Sequence, residues 1–225
     1  MLPASFCTPD LTALLLLWLP CGAAASARYA NTSNAIIGAG VVECDEGSVL
    51  EGCSEAIAYR AKIRQPGYVG RDPVVFWGSR LKEDMPVALR VAVLWLKHSL
   101  PEVWTRMRCP GPLITQAYGG ELPPMSVEAL PVSHGKRGMS MALGLALAMV
   151  SCLTGCAVRK RVGVTGSMDI SGRLWGVGQV QSKARGMKEV GVKTVVIPVR
   201  CDQTDNVAGV TYEVCRHIFE ALPLV

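Results

Sequence analysis

The hydroxyl of Ser140 and the amine of Lys183 are the two side chains whose chemistry could combine in one reaction. A serine hydroxyl attacks a carbonyl only when a base removes its proton. A lysine acts as that base only when neutral, so burial in an apolar site has to lower its pKa from about 10.4 toward about 7–8. Ser140 opens an apolar helix, whose N–H groups and positive end would stabilise an oxyanion. These residues predict a nucleophile–base dyad.

Each of these residues also has an ordinary structural interpretation. A serine at a helix start is most often an N-cap, and a lysine on an amphipathic helix is most often solvated. His134 lies close to Ser140 in sequence and is an alternative base, although a loop histidine without a carboxylate partner is usually incidental. Thr165 either orients Lys183 through its hydroxyl or is a structural residue at a strand end.

Composition limits the classes of protein that fit. Of 225 residues, 50% are hydrophobic and 18% are charged, which predicts a packed core and excludes wholesale disorder. The net charge is +5. The densest basic run, residues 159–161, has no interleaved aromatic residue, and we interpret it as a solvated turn. We therefore predict no nucleic-acid partner. The three histidines are not spaced with the nine cysteines as zinc ligands. We predict no metal site and no cofactor. We expect the cysteines to be buried free thiols, in preference to a disulfide between Cys44 and Cys53.

Residues 1–35 are predicted to be an apolar N-terminal segment preceding one domain, residues 36–225. The run Leu11–Leu19 and the small residues after it resemble a secretory signal. However, no Lys or Arg precedes Arg28, and Asp10 stands where a positive region is expected. The run is too short for a membrane span. A secretory signal and an untargeted apolar tail both stay open, so no compartment is predicted.

Hydrophobic periodicity predicts alternating strands and helices. An apolar helix over residues 140–153 is expected to be buried on all sides, residues 171–173 suggest a hairpin, and Pro101 is expected to end the preceding helical region. The mixture predicts an α/β (mixed α+β) domain without an obvious linker. Strands are predicted at 36–42, 56–63, 74–77, 127–130, 161–164 and 192–197, and helices at 84–98, 140–153, 182–190 and 215–222.

The segment from Gly138 to Pro198 resembles the proteolytic domain of the Lon protease family, without a gap. The family's nucleophile motif, Asp-Gly-Pro-Ser-Ala-Gly, falls on residues 137–142 and keeps its serine at Ser140. Its Thr-Gly-Glu falls on residues 165–167, and the second lysine of Gly-Gly-Leu-Lys-Glu-Lys falls on Lys183. Residues 150–155 and 191–198 match two further signatures. A weaker, collinear likeness covers about residues 36–225.

The resemblance implies a fold, an activity and an assembly. The fold would be a single Lon proteolytic domain of the ribosomal protein S5 domain 2-like type. The activity would be a serine-type endopeptidase with the catalytic residues Ser140 and Lys183, acting on unfolded proteins or peptides in protein catabolism. The family implies a homo-oligomer, a hexamer, in mitochondria or cytoplasm, and its activity depends on ATP. Because the sequence has no G-x-x-x-x-G-K-[ST] motif, a separate ATPase partner is expected for folded substrates.

Several positions depart from the family pattern. Arg137, Met139, Met141 and Ser167 replace the family's aspartate, proline, alanine and glutamate. The two methionines are expected to narrow the substrate cleft, and Arg137 either helps to keep Lys183 neutral or points to solvent. These departures support an alternative function: a catalytically weakened Lon-fold module that acts as an oligomerisation or protein-binding scaffold. The chain could also be a fragment of a longer Lon-type protein.

Overall fold

The structure is a computed structural model. It describes residues 35–43, 49–64, 74–77, 84–107, 121–130, 139–201 and 207–225. A seven-stranded mixed sheet forms its centre. The sheet has strands β1 (Ile36–Glu43), β2 (Val49–Ile63), β3 (Val74–Trp77), β4 (Met125–Leu130), β5 (Val162–Val164), β8 (Thr194–Pro198) and β9 (Thr211–Cys215), while β6 (Ser167–Met168) and β7 (Leu174–Trp175) form a separate hairpin. The helices are α1 (Asp84–Met107), α2 (Ala142–Thr154), α3 (Val180–Glu189) and α4 (Ile218–Ala221), with 3-10 turns at Met139–Met141 and Leu222–Leu224.

The order of the strands across the sheet is β3-β4-β2-β1-β5-β8-β9. The pairs β1–β2 and β2–β4 are antiparallel, whereas β3–β4, β1–β5, β5–β8 and β8–β9 are parallel. Parallel neighbours require long crossover connections, and α1, α2 and α3 lie in those of β3–β4, β1–β5 and β5–β8, where they cover the sheet. The mixed α/β class is therefore confirmed.

Two apolar clusters lie on opposite faces of the sheet. Helices α1 and α2 contribute to the larger cluster, and α3 contributes to the smaller one. Strand β8 shows the division, because Val196 belongs to the larger cluster and its neighbours Val195 and Ile197 to the smaller. This alternation is the period of two expected of a strand that is buried on both faces.

Helix α2 lies close to the sheet through glycines around one aromatic ring. Tyr59 of β2 is 1% exposed, and a Cβ atom at Gly38 or Gly144 would lie 2.5 or 2.6 Å from its ring carbons. Burial raises the pKa of the Tyr59 hydroxyl far above its usual range. The glycines therefore set the distance between α2 and the sheet.

Three predicted boundaries are wrong. Helix α1 continues past Pro101 to Met107, since Val103 and Trp104 are buried beyond the proline and Arg106 pairs with Glu102 at 2.6 Å. Strand β2 begins at Val49, seven residues before its predicted start. The predicted C-terminal helix is preceded by the unpredicted strand β9, and its helical part begins only at Ile218.

Several predictions fall outside the described residues. These are the N-terminal segment, Cys44, His134 and Arg137, so the domain boundary at residue 35 stays a prediction. In the part of the chain that the structure describes, no helix is long and apolar enough to cross a membrane.

Candidate active site

Ser140 lies in the 3-10 turn Met139–Met141, immediately before α2. The cap of α2 is Met141, without a side-chain hydrogen bond, so Ser140 is not the N-cap of this helix. The Ser140 carbonyl accepts a hydrogen bond from the Gly166 N–H at 3.0 Å, and the Gly166 carbonyl accepts one from Leu143 N–H at 3.2 Å. These two bonds fix the turn that carries Ser140 against Gly166.

Lys183 is buried in α3 and only 5% exposed. Burial lowers the pKa of its amine to about 8, against a smaller opposing Coulombic effect of Cys201. The interpretation of Lys183 as a solvated residue is therefore wrong. With a pKa of about 8, Lys183 is neutral in about one molecule in ten at pH 7, and the neutral amine is the form that a general base needs.

The burial of Lys183 follows from how α3 lies on the sheet. The Ser54 hydroxyl of β2 donates to the Ser182 carbonyl at 2.5 Å. A Cβ atom at Gly186 would lie 2.7 Å from the Ser54 carbonyl oxygen, so only glycine permits this approach. Val180, Ala184 and Met187 are buried on the same side of α3, and their spacing places Lys183 within that apolar face.

The backbone that follows β5 binds Ser140 and lies close to the end of β8. After β5, the Thr165 N–H donates to the Val196 carbonyl at 3.0 Å, and the next N–H, that of Gly166, donates to Ser140. A Cβ atom at Gly166 would lie 3.0 Å from Pro198, whose carbonyl accepts the Cys201 thiol at 3.2 Å. Cys201 also exerts a Coulombic effect on the amine of Lys183. That Ser140 and Lys183 meet at the carboxyl ends of β5 and β8 stays a prediction.

Two buried hydroxyls lie in this region. Among the described residues, Thr165 Oγ1 and Ser182 Oγ have no hydrogen-bond partner, although Thr165 is 1% and Ser182 7% exposed. Buried polar atoms without partners are costly and are common at functional sites. The role of Thr165 in orienting Lys183 stays a prediction.

The residues that flank Ser140 contribute to the core. Met141 is 2% exposed and belongs to the larger cluster, and Met139 is half-buried against it. The expectation that Met141 narrows a substrate cleft is wrong, because its side chain points into the protein interior. Among the described residues, no group of three or more His, Cys, Asp or Glu side chains could hold a metal ion.

Sequence reasoning missed two neighbours of this site, Cys201 and Trp175. Cys201 follows β8 and is half-buried, and its position near Lys183 depends on a loop that no periodicity predicts. Trp175 is paired with Ser167 across the β6–β7 hairpin. The alternation of buried Leu174 with exposed Trp175 was a signal in the sequence, since neighbouring strand residues face opposite ways.

Part of the chain that includes both predicted site residues is similar to a known family of proteolytic domains. Residues 129–219 match the family model of the Lon protease (S16) C-terminal proteolytic domain. This match includes Ser140, Lys183 and the Thr165–Gly166 backbone between them. This part of the chain is therefore similar to the Lon proteolytic domain.

Individual relatives agree with the family match. Lon protease 1 of Bacillus subtilis (strain 168) is 33% identical over 93 residues, 39% of this chain and 12% of the relative. The Lon protease of Citrifermentans bemidjiense is 28% identical over 133 residues, 58% of this chain and 15% of the relative. That of Brevibacillus choshinensis is 36% identical over 63 residues, 28% of this chain and 8% of the relative. The chain thus matches only a small part of the length of these relatives.

Proposed function

We propose that this chain is a Lon-type serine endopeptidase domain that hydrolyses peptide bonds with Ser140 as nucleophile and Lys183 as general base. The observation that carries the proposal is the buried Lys183, whose pKa is lowered to about 8, in the same family match that contains Ser140. Keeping an uncompensated amine inside an apolar face destabilises the fold, and perturbed ionisable groups of this kind cluster at functional sites.

The reaction would proceed through an acyl-enzyme. Ser140 Oγ attacks the peptide carbonyl while the neutral Lys183 Nζ takes its proton, and the resulting ammonium gives that proton to the leaving amine. Water then attacks the ester and Lys183 again transfers the proton, which regenerates Ser140. The Leu143 N–H is already bonded to Gly166, so backbone amides that precede Leu143 in this turn are the candidates for holding the oxyanion.

The substrate and the assembly follow from the same proposal. Unfolded polypeptides and peptides are the expected substrates, and a separate ATPase would supply unfolding of folded proteins. The domain would act as a homo-oligomer, with a hexamer expected from the resemblance to Lon. All three relatives are called Lon protease, which supports proteolysis. The substrates, the ATPase and the hexamer are proposed from the resemblance to that family.

Digestion of casein and a fluorogenic peptide tests the proposal with matched variants. Ser140→Ala and Lys183→Ala should each lower kcat/KM by at least about 1,000-fold, because serine and base act as a unit. In the wild type, kcat/KM should rise with pH up to about 8, as the buried amine of Lys183 loses its proton.

Two control variants change a serine of α2, the helix that follows Ser140, and a lysine of α3, the helix that contains Lys183. Ser151→Ala removes a hydroxyl that donates to the Cys156 carbonyl at the far end of α2, and Lys188→Ala removes an exposed amine of α3. Both should keep wild-type activity. If Ser140→Ala cleaves casein as fast as wild type, the proposal is wrong. The absence of any serine-directed covalent adduct in the wild type would favour the scaffold function instead.

A further inference from the structure

An exposed tryptophan lies on the β6–β7 hairpin, which follows Ser140 and precedes Lys183 in the sequence. Trp175 is 48% exposed and follows Leu174, which is buried. In the hairpin register, Met168 pairs with Leu174 and Ser167 pairs with Trp175. Met168 and Leu174 therefore form the inward face, and Trp175 lies on the outward face beside a small serine.

The side chain of Trp175 is held in place from two directions. Its indole N–H donates to Asp169 Oδ2 at 3.1 Å, and the Arg173 guanidinium lies 4.8 Å from the ring centroid. Asp169 Oδ1 also accepts from the Ser171 N–H, the Ser171 hydroxyl and the Arg173 N–H. A large aromatic surface that is already ordered loses little entropy when it binds a ligand. We call Trp175 with Arg173 and Asp169 the Trp175 platform.

The carboxylate in this platform is ionised at neutral pH. Burial opposes ionisation of Asp169, but hydrogen bonds from Ser171, Trp175 and the Arg173 N–H outweigh it and lower the pKa of the carboxyl below its usual value.

The hairpin itself is fixed to the rest of the domain by a Leu174 N–H bond to the Arg216 carbonyl at 2.8 Å. His217 Nε2 adds a bond to the Ser171 carbonyl at 2.9 Å. The exposed ring is thus part of a rigid surface.

The platform is close to Ser140. Gly166 donates to the Ser140 carbonyl at 3.0 Å, Ser167 is the next residue, and Ser167 pairs with Trp175. Chain geometry therefore puts the Trp175 backbone within about 13 Å of the Ser140 carbonyl oxygen. An extended peptide covers that distance with about three or four residues.

From this arrangement we infer that the Trp175 platform is a substrate subsite that binds an aromatic side chain of the peptide a few residues from the bond that Ser140 attacks. The inference rests on the proposed peptidase function. Aromatic rings favour offset-stacked or edge-to-face contact with an indole. An aliphatic side chain would gain only the contact area, so the platform distinguishes aromatic from aliphatic residues.

Binding to the inactive Ser140→Ala protein tests the subsite without requiring hydrolysis. The probes are fluorescein-labelled peptides of Gly, Ala and Ser that carry one Phe, Leu or Ser at each position in turn, and anisotropy gives their Kd. At one position, Phe should bind about tenfold more tightly than Ser and several-fold more tightly than Leu. Adding Trp175→Ala should remove the preference for Phe, whereas Trp175→Phe should keep most of it.

A matched control and two contrary results complete the test. Val87→Ala truncates a side chain that is 51% exposed at the start of α1, and it should leave every Kd unchanged. Equal Kd values for the Phe peptide with and without Trp175→Ala would overturn the inference, as would equal binding of Phe and Leu.

Hydrolysis by the wild type separates the inference from the function on which it rests. If the wild type cleaves peptides and Trp175→Ala leaves the ratio of kcat/KM between Phe and Ser peptides unchanged, the subsite is wrong while the peptidase stands. If instead the preference for Phe depends on Trp175 but the wild type cleaves nothing, the peptidase is wrong and this surface binds peptides without cleaving them.

Discussion

Lys183 destabilises the fold by the same burial that would make it a base. Its pKa in the folded chain, about 8, lies below the ordinary 10.5, so between these values the unfolded chain binds more protons. The free energy of unfolding should therefore rise as the pH increases from about 8 to 10.5. The lost stability below pH 8 is at most about 3 kcal/mol.

Replacing this lysine with an isosteric apolar residue should stabilise the protein. We expect Lys183→Met to abolish activity and to raise the free energy of unfolding at pH 7 by about 1–3 kcal/mol, because the charged group no longer has to be desolvated. Urea unfolding at several pH values measures this. The gain should shrink toward pH 10.5, and Lys188→Met, at an exposed position of the same helix, should show no such gain. A loss of stability in Lys183→Met at pH 7 would contradict the argument.

At the scale of elements, the position of Ser140 depends on how closely α2 approaches the sheet. A Cβ atom at Gly144 would lie 2.6 Å from the ring of Tyr59, which is fully buried and has little room to move. Alanine favours helices over glycine by about 0.5–1 kcal/mol, but overpacking costs about 1–3 kcal/mol. We therefore expect Gly144→Ala to lower the free energy of unfolding by about 1–2 kcal/mol. It should also lower kcat more than it raises KM, because Ser140 moves with α2.

Chemical denaturation and steady-state kinetics check this prediction. Gly178→Ala is the control, since a Cβ atom at Gly178 meets nothing within 4 Å, and its stability should stay at the wild-type value. If Gly144→Ala is as stable as Gly178→Ala, the contact with Tyr59 does not set the position of α2.

The same elements show which parts of the structure the sequence could predict. Strand β3 and the buried helix α2 have local patterns strong enough to be predicted correctly. The continuation of α1 past Pro101 depends on burial of Val103 and Trp104, a tertiary effect that outweighs the local preference of proline. Strand β9 has an irregular exposure pattern, so its pairing with β8 was not visible in the sequence.

The burial of Lys183 could have been predicted from the sequence, but its surroundings could not. The motifs predicted Ser140 and Lys183, and the spacing of Val180, Ala184 and Met187 would have placed Lys183 on the buried face of α3. The neighbourhood of Cys201 depends on the conformation of a loop after β8. Such a contact follows from packing between segments far apart in the sequence, which periodicity does not report.

At the scale of the whole molecule, the two proposed catalytic residues belong to layers of unequal size. Ser140 precedes α2, which lies in a cluster of 33 buried residues among those described. Lys183 lies in α3, whose cluster has 9. The free energy of local opening increases with the apolar area that an element buries. The layer that contains α3 should therefore open at a lower free energy than the layer that contains α2.

Native-state hydrogen exchange in increasing urea tests this difference. Amides of α3 should exchange through an opening whose free energy is at least about 2 kcal/mol lower than that of the opening that exposes the α2 amides. Peptidase activity should be lost together with the opening of α3, because that opening removes Lys183 from the site. Ser54→Ala should widen the gap, because it deletes the hydroxyl that donates to Ser182 at 2.5 Å, whereas Ser151→Ala should not. If α2 and α3 exchange together at the global free energy of unfolding, both layers form one cooperative unit and the site cannot open without unfolding the whole domain.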